Sequence, residues 1–264
     1  MEKILEEQEI HARPKLFRAL GHRDPPLEIE LKGRLHHRLE IVKHDSWAAT
    51  AIYADDQGQR AVCKFNRVQP IFIFPTRWLG KCLGSRETRA IRMMQDVEGF
   101  PCWAGIVVAD GRELPNAVAQ DWIEGQPFVP SKALLHQDFF PRLWRMYSIL
   151  HERHIAHVDS SKWGNILVGE NGRPFLIDFQ VHLYIPPGSA FRWLLHWFQA
   201  ADRYHVYRNW LRVYPEQVPL EDRDLSKHRP GFLRFTEPLE PAWHRLRSCL
   251  LWLTGACPKA RGRD

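Results

Sequence analysis

His157-Val158-Asp159-Ser160-Ser161-Lys162-Trp163-Gly164-Asn165-Ile166-Leu167-Val168, then Gly169-Glu170-Asn171-Gly172-Arg173-Pro174, then Phe175-Leu176-Ile177-Asp178-Phe179, is the stretch whose reading decides the fold. Asn171-Gly172 between two short apolar runs is a hairpin signal, because a tight turn needs φ > 0 at its centre and these two residues tolerate it. The pattern predicts that Ile166–Val168 pairs antiparallel with Phe175–Ile177, which puts Asn165 beside Asp178 at one end of the ladder. An amide oxygen and a carboxylate held together are hard oxygen ligands, suited to Mg²⁺ on nucleotide phosphates rather than to a soft metal. Asp159 enters the same mouth as a candidate base.

Upstream, Ala61-Val62-Cys63-Lys64-Phe65 reads as a strand whose alternation places Val62 and Lys64 on one face and Ala61, Cys63 and Phe65 on the other. A lone strand lysine is usually a solvated edge charge. Here a helix is expected to follow, capped by Ser85, with Glu87, Ala90, Ile91 and Met94 on one stripe, so that Glu87 points inward. That supplies a buried partner for Lys64.

The 264 residues and 31.1 kDa suffice for one two-part domain with a sizeable core. The five cysteines, Cys63, Cys82, Cys102, Cys249 and Cys257, are scattered without a C-x-x-C pair, which argues against a disulfide framework or zinc ribbon and favours a reducing, cytoplasmic setting. The N-terminus is acidic with no long apolar run, so no secretory signal is expected, and no apolar run approaches a bilayer span. A formal charge of +6 favours anionic partners. No nucleic-acid motif accompanies it.

Residues 1–25 read as an N-terminal extension with a short charged helix before Pro25-Pro26. Leu27, Ile29 and Leu31 alternate with charged residues, and Leu39–Val42, Thr50–Ala54 and Arg60–Phe65 give further strands, the last two joined around Asp55-Asp56-Gln57-Gly58. Ile71–Phe74 is too apolar for an exposed loop. Ala117–Gln120 reads as another strand, and Leu143, Tyr147 and Leu150 have helical spacing. Helices are expected over Phe191–Tyr207 and Pro241–Leu253, separated by a proline- and charge-rich stretch at 214–240. His151, His154 and His157 form an H-x-x-H-x-x-H run, but steps of three advance about 300° around a helix, which separates the outer pair and argues against zinc.

The central stretch resembles the catalytic and metal loops of the eukaryotic-type protein kinase superfamily, H-x-D-x-x-x-x-N followed by D-F-G. It departs from that pattern twice: Asn165 lies six residues after Asp159 rather than five, and Gln180 stands in place of the glycine. Both departures are similar to those of small bacterial kinase-like proteins carrying HxDxxxxxN and DFQ. RIO-type kinases and lipopolysaccharide core-sugar kinases resemble the chain more distantly.

The resemblance implies a bilobal α+β kinase-like fold, with an antiparallel N-lobe and one key helix over residues 26–121 and a mainly helical C-lobe over 122–264. It further implies ATP and Mg²⁺ as cofactors, with Asp159 as base and Lys162 neutralising the transferred phosphoryl group, while Asn165 and Asp178 hold metal. Lys64, paired with Glu87, would hold phosphates beneath Val62. Ser46, in a loop with no glycine, would cover the phosphates, and Asp121 and Ile123 would form the hinge. His157 would brace the catalytic loop, Asp202 is a candidate for bonding its backbone, and Gly164 is expected to absorb the extra residue through backbone angles closed to other residues.

The acceptor is a hydroxyl of a protein, a glycan or a lipid headgroup, and the absence of an A-P-E sequence tilts toward a non-peptide one. Rival readings are a pseudokinase that binds nucleotide without turnover, and a membrane-surface adaptor. For the latter, Trp243, Leu246, Leu250 and Leu253 with Arg245, Arg247, Lys259, Arg261 and Arg263 would meet an anionic bilayer, peripheral at the inner face; an ordinary helix packed on its own core has the same pattern.

Overall fold

The computed structural model describes residues 17–70, 76–219, 223–225 and 229–231. The expected N-terminal helix, the apolar run Ile71–Phe74, the helix over Pro241–Leu253 with its apolar stripe and basic flank, and Cys249 and Cys257 lie outside the described residues. No helix among the described residues is long and apolar enough to cross a membrane.

Strands β1 (Glu28–Leu31), β2 (Arg34–His44), β3 (Ala48–Asp55) and β4 (Arg60–Asn66) form an antiparallel meander. Their sheet has eight strands with β5 (Trp103–Gly105) and β8 (Ala117–Asp121) beyond β4, and β6 (Val108–Ala109) and β7 (Arg112–Glu113) beyond β1. Only Ile106 and Val107 separate β5 from β6, a reach of at most about 10 Å, yet six inter-strand steps of about 4.8 Å would set them roughly 29 Å apart in a flat sheet. The sheet therefore curls, bringing β5 at one edge close to β6 near the other. Ile29, Leu31, Tyr53, Phe65, Val107 and a set of alanines fill the curl; small side chains suit a tightly curved interior.

The expected alternation along β4 holds: Ala61, Cys63 and Phe65 are buried in the curl, while Val62 and Lys64 are partly exposed on the other face. Against that face lies helix α1 (Arg77–Met94), burying Gly80, Gly84, Glu87, Ala90, Ile91 and Met94. The helix begins about two turns before the expected cap at Ser85. Gly80 and Gly84 weaken its intrinsic helix signal, but both are used for close packing, Gly80 on the Arg67 carbonyl and Gly84 on the backbone of Pro115 and Asn116. This close approach carries Glu87, one turn further on, to Lys64.

Helices α2 (Phe139–Glu152) and α3 (Arg192–Val213) form the second core with Ile91 and Met94 of α1 and the central hairpin, β11 (Ile166–Gly169) and β12 (Pro174–Leu176). The hairpin forms antiparallel as expected around Gly172 at φ 71°, but one residue out of the expected register: Ile166 pairs with Leu176, Leu167 with Phe175 and Val168 with Pro174, so that the second strand ends before Ile177. Strand β9 (Gly125–Pro127) adds to the outer side of β11, and β10 (Ile155–Ala156) pairs with β13 (Leu183–Tyr184). Residues 17–24, expected within an extension, are bonded into the sheet end: Ala19 donates to Asp45 and accepts from Val68 and Gln69, and Arg18 pairs with Asp24.

Substituting Gly80→Ala places a methyl inside the van der Waals envelope of the Arg67 carbonyl oxygen. The expected cost is about 1–3 kcal/mol in urea unfolding, accompanied by loosening of α1. An unchanged midpoint would show that α1 does not depend on this approach.

Candidate active site

Strand β4, helix α1 and the turn after β12 converge on one ammonium group. Lys64 Nζ donates to Glu87 Oε1 at 2.7 Å and to Asp178 Oδ1 at 2.6 Å. Glu87 is 2% exposed, whereas Asp178 is 38% exposed. Burial alone would lower the Lys64 pKa, but the two carboxylates raise it, so the lysine stays charged. Burial pushes Glu87 up against the pull of Lys64, while Asp178, also penalised by burial, is held below the ordinary carboxylate value chiefly by Lys64.

Asp178 adopts left-handed backbone at φ 63°. The N–H of Ile177, just before it, donates to the Asn165 carbonyl at 2.9 Å, so Asn165 and Asp178 occupy the same end of the hairpin, as the sequence predicts. Asn165 Nδ2 donates to the Asp159 carbonyl at 3.1 Å. That bond engages the amide nitrogen and leaves Oδ1 as the atom that could accept from or ligate another group. No described residue bonds Asp178 Oδ2. Two hard oxygens are thus available, and among the described residues no cluster of three or more His, Cys, Asp or Glu side chains forms a metal cage. This donor set fits Mg²⁺ only if phosphate oxygens and water complete the shell.

Asp159 is tied to this end of the hairpin through its carbonyl bond with Asn165, and its Oδ2 is paired with Lys162 Nζ at 2.6 Å. The six-residue interval to Asn165 is taken up by two consecutive turns, Lys162 N–H to Asp159 O and Asn165 N–H to Lys162 O, the second a short 3₁₀ turn over Trp163–Asn165. Gly164 has no left-handed backbone and open space around it, which corrects the expectation that its special angles absorb the insertion. The left-handed residue is Val158, at φ 70°, a costly conformation for a β-branched side chain.

Asp202 of α3 holds Val158 there. Its buried carboxylate accepts from the N–H groups of His157 at 2.8 Å and Val158 at 3.1 Å, and lies 3.1 Å from His151 Nε2. His157 in turn donates from Nε2 to the Ile177 carbonyl at 3.0 Å, tying the loop that bears Asp159 to the residue before Asp178. The bracing roles expected of His157 and Asp202 match these contacts. His151 is spent on Asp202 rather than on a metal.

The turn between β2 and β3 is closed upon itself. Asp45 Oδ1 accepts from the N–H groups of Trp47 at 2.7 Å and Ala48 at 3.0 Å, and Oδ2 pairs with Lys43 at 2.7 Å. Although burial raises its pKa, Lys43 and these N–H groups hold the Asp45 carboxyl below its ordinary value. Ser46 directs its hydroxyl to the Phe17 carbonyl at 3.5 Å and its own carbonyl accepts from the buried Arg67 at 2.6 Å. The hydrogen bonds of Ser46 therefore run into the protein, and two of the turn's amides are occupied by Asp45.

Val62 sits beside Lys64 on the outer face of β4, between Ile52 and Gln120. Asp121 ends β8 with its N–H given to Cys102 at 2.9 Å; Ile123 follows, its backbone in no described hydrogen bond. Sequence reasoning did not single out Asp45 or Arg67, nor Asn66, which lies two residues beyond Lys64 and is fully buried; its place on the same strand face was the available signal.

No family model matches the chain, and no curated protein matches it. Many solved structures share its fold, two of Rio2 kinase among them. The Rio2 kinase–ADP/Mg²⁺–phosphoaspartate complex from Chaetomium thermophilum superposes with a TM-score of 0.51 at 14% identity, over 73% of this chain and 61% of that one. The Rio2 kinase from the same organism superposes with a TM-score of 0.50 at 14% identity, over 80% and 83%. The fold is protein-kinase-like. Within it, the hub formed by Asp202 is the element that fixes the loop bearing Asp159.

Asp202→Asn places an amide N–H₂ among donors and is expected to cost about 3 kcal/mol or more in urea unfolding. Gly164→Ala should change stability by no more than about 1 kcal/mol. The reverse order would contradict this account of the loop.

Proposed function

We propose that the protein is an ATP-dependent phosphotransferase of the protein-kinase-like superfamily, built as two lobes meeting near residues 121–125 and moving the γ-phosphate to a hydroxyl. The observation that carries this reading is Lys64 bridging Glu87 and Asp178 beside Asn165 and Asp159. The likeness to Rio2 kinases, one of them in an ADP/Mg²⁺ complex, supports it at the level of fold.

In this proposal Lys64 holds the nonreacting phosphates, with Glu87 keeping the ammonium in place. Val62 covers the nucleotide base, and the unbonded backbone of Ile123 meets its polar edge, with Asp121 fixing the strand before it. Mg²⁺ would neutralise phosphate charge, held by Asn165 Oδ1 and Asp178 Oδ2. Asp159 exchanges Lys162 for the acceptor hydroxyl, orients it in line, and receives its proton as the new P–O bond forms and the bond to the leaving ADP oxygen breaks. Lys162, released and largely exposed, then stands beside the transferred group. We further propose that the chain belongs with the small bacterial kinase-like proteins, acts in the cytoplasm, and takes as acceptor either a serine or threonine or a glycan of the lipopolysaccharide type.

A second reading, nucleotide binding without turnover, is favoured by the β2–β3 turn. Asp45 occupies amides that a phosphate clamp would leave open, so the triphosphate would be held from one side only.

Incubation with γ-labelled ATP and a fractionated lysate separates these readings by the chemical class of the labelled product. Asp159→Ala is expected to lower transfer by about 100-fold or more while ATP affinity stays within a few-fold, because Asp159 meets the acceptor rather than the nucleotide. Equal loss of ATP binding and transfer would contradict that role. Saturable ATP binding by the wild type with no labelled product would favour the second reading.

A further inference from the structure

Gln180 stands where the resemblance expects glycine, and its side chain is not idle. Its Nε2 donates to Asn66 Oδ1 at 2.9 Å. Asn66 is fully buried at the end of β4, and its amide orientation is fixed by its other partner: Nδ2 donates to the Asn116 carbonyl at 3.1 Å, which can only accept. Asn116 returns the contact, donating from Nδ2 to the Asn66 carbonyl at 2.9 Å. With Nδ2 committed to a carbonyl, Oδ1 of Asn66 is left to receive the Gln180 amide.

The spacing gives this contact its meaning. Lys64 and Asn66 lie two residues apart on one face of β4, and they bind Asp178 and Gln180, which are also two residues apart. Between the two rungs, Phe179 turns the other way into the helical core, against Phe100 and His157. The Gln180 N–H also reaches Asp178 Oδ1 at 3.3 Å. Asp178 holds an unfavourable left-handed backbone, so its position must be imposed by its neighbours. Lys64 cannot do this alone if phosphates compete for its ammonium.

We propose that Gln180, through Asn66, is the positioning residue that keeps Asp178 oriented toward metal when Lys64 engages phosphate. This rests on the reading of Asp178 as a metal ligand. Groups that orient a ligating carboxylate typically change metal affinity by about 10–100-fold when removed.

Two measurements test it. Melting temperatures of Asn66→Ala, Gln180→Ala and the double variant report the bond without any ligand: the double variant should lose less than the sum of the two single losses, since the shared bond is lost once and the Asn66–Asn116 contact, lost in both Asn66 variants, cancels. Additive losses would overturn the bond. The Mg²⁺ concentration for half-maximal ATP binding should rise about tenfold in Gln180→Ala and return to within about threefold of wild type when Asn66→Gln is combined with Gln180→Asn, which keeps the summed reach. An unchanged Mg²⁺ requirement in a folded Gln180→Ala variant would overturn the positioning role. Wild-type ATP binding indifferent to Mg²⁺ would overturn the metal reading itself, and the melting cycle distinguishes that failure from failure of the bond.

Discussion

The ammonium of Lys64 is the point on which three separately folded pieces depend: a strand of the curled sheet, helix α1 and the turn after the central hairpin. Burying one cation between two carboxylates is costly unless all three are held in place, because removing any partner strands a charge with little water to stabilise it. Each partner is positioned by different means. Strand alternation aims Lys64 away from the curl, two glycines let α1 approach closely enough for Glu87 to arrive, and the hairpin register delivers Asp178. The ion cluster is weak evidence for stability by itself, but strong evidence that the pieces are arranged around a shared polar site.

Backbone strain has the same logic. Val158 and Asp178 are both non-glycine residues in left-handed conformation, the first adjacent to Asp159 and the second itself part of the site. Strain of this kind survives only where surrounding bonds over-determine it. For Val158 those bonds come from Asp202, and for Asp178 from Lys64 and the Gln180 amide. The carboxylate of Asp202 serves two successive N–H groups and lies against His151, which is why an acidic residue is tolerated fully buried within α3.

Much of this was legible in the sequence, for local reasons. Asn171-Gly172 marked the hairpin, though not its register to the residue, and period-two alternation placed Lys64 on the correct face. Glu87 was recognisable because the inward stripe of α1 is carried by Ala90, Ile91 and Met94 as well. What escaped depended on contacts between distant segments. The first two turns of α1 were hidden because Gly80 and Gly84 oppose helix formation locally and are favoured only by the backbone they meet. Gly164 drew attention as a flexible residue, yet the loop closes by ordinary turns and the strain falls on Val158. The Asn66–Gln180 contact joins residues 114 positions apart, for which a single sequence carries no local signal. The curl of the sheet likewise has no local signal, because it follows from the short β5–β6 connection joining strands six places apart in the order.

The central claim is that Lys64 is the group that meets nucleotide phosphates. ATP carrying a lysine-reactive acyl group on its phosphate chain, followed by peptide mapping, addresses it directly. The account predicts label on Lys64, suppressed by excess unlabelled ATP. Label spread over exposed lysines such as Lys32 and Lys81, with Lys64 unmodified and no competition by ATP, would contradict it.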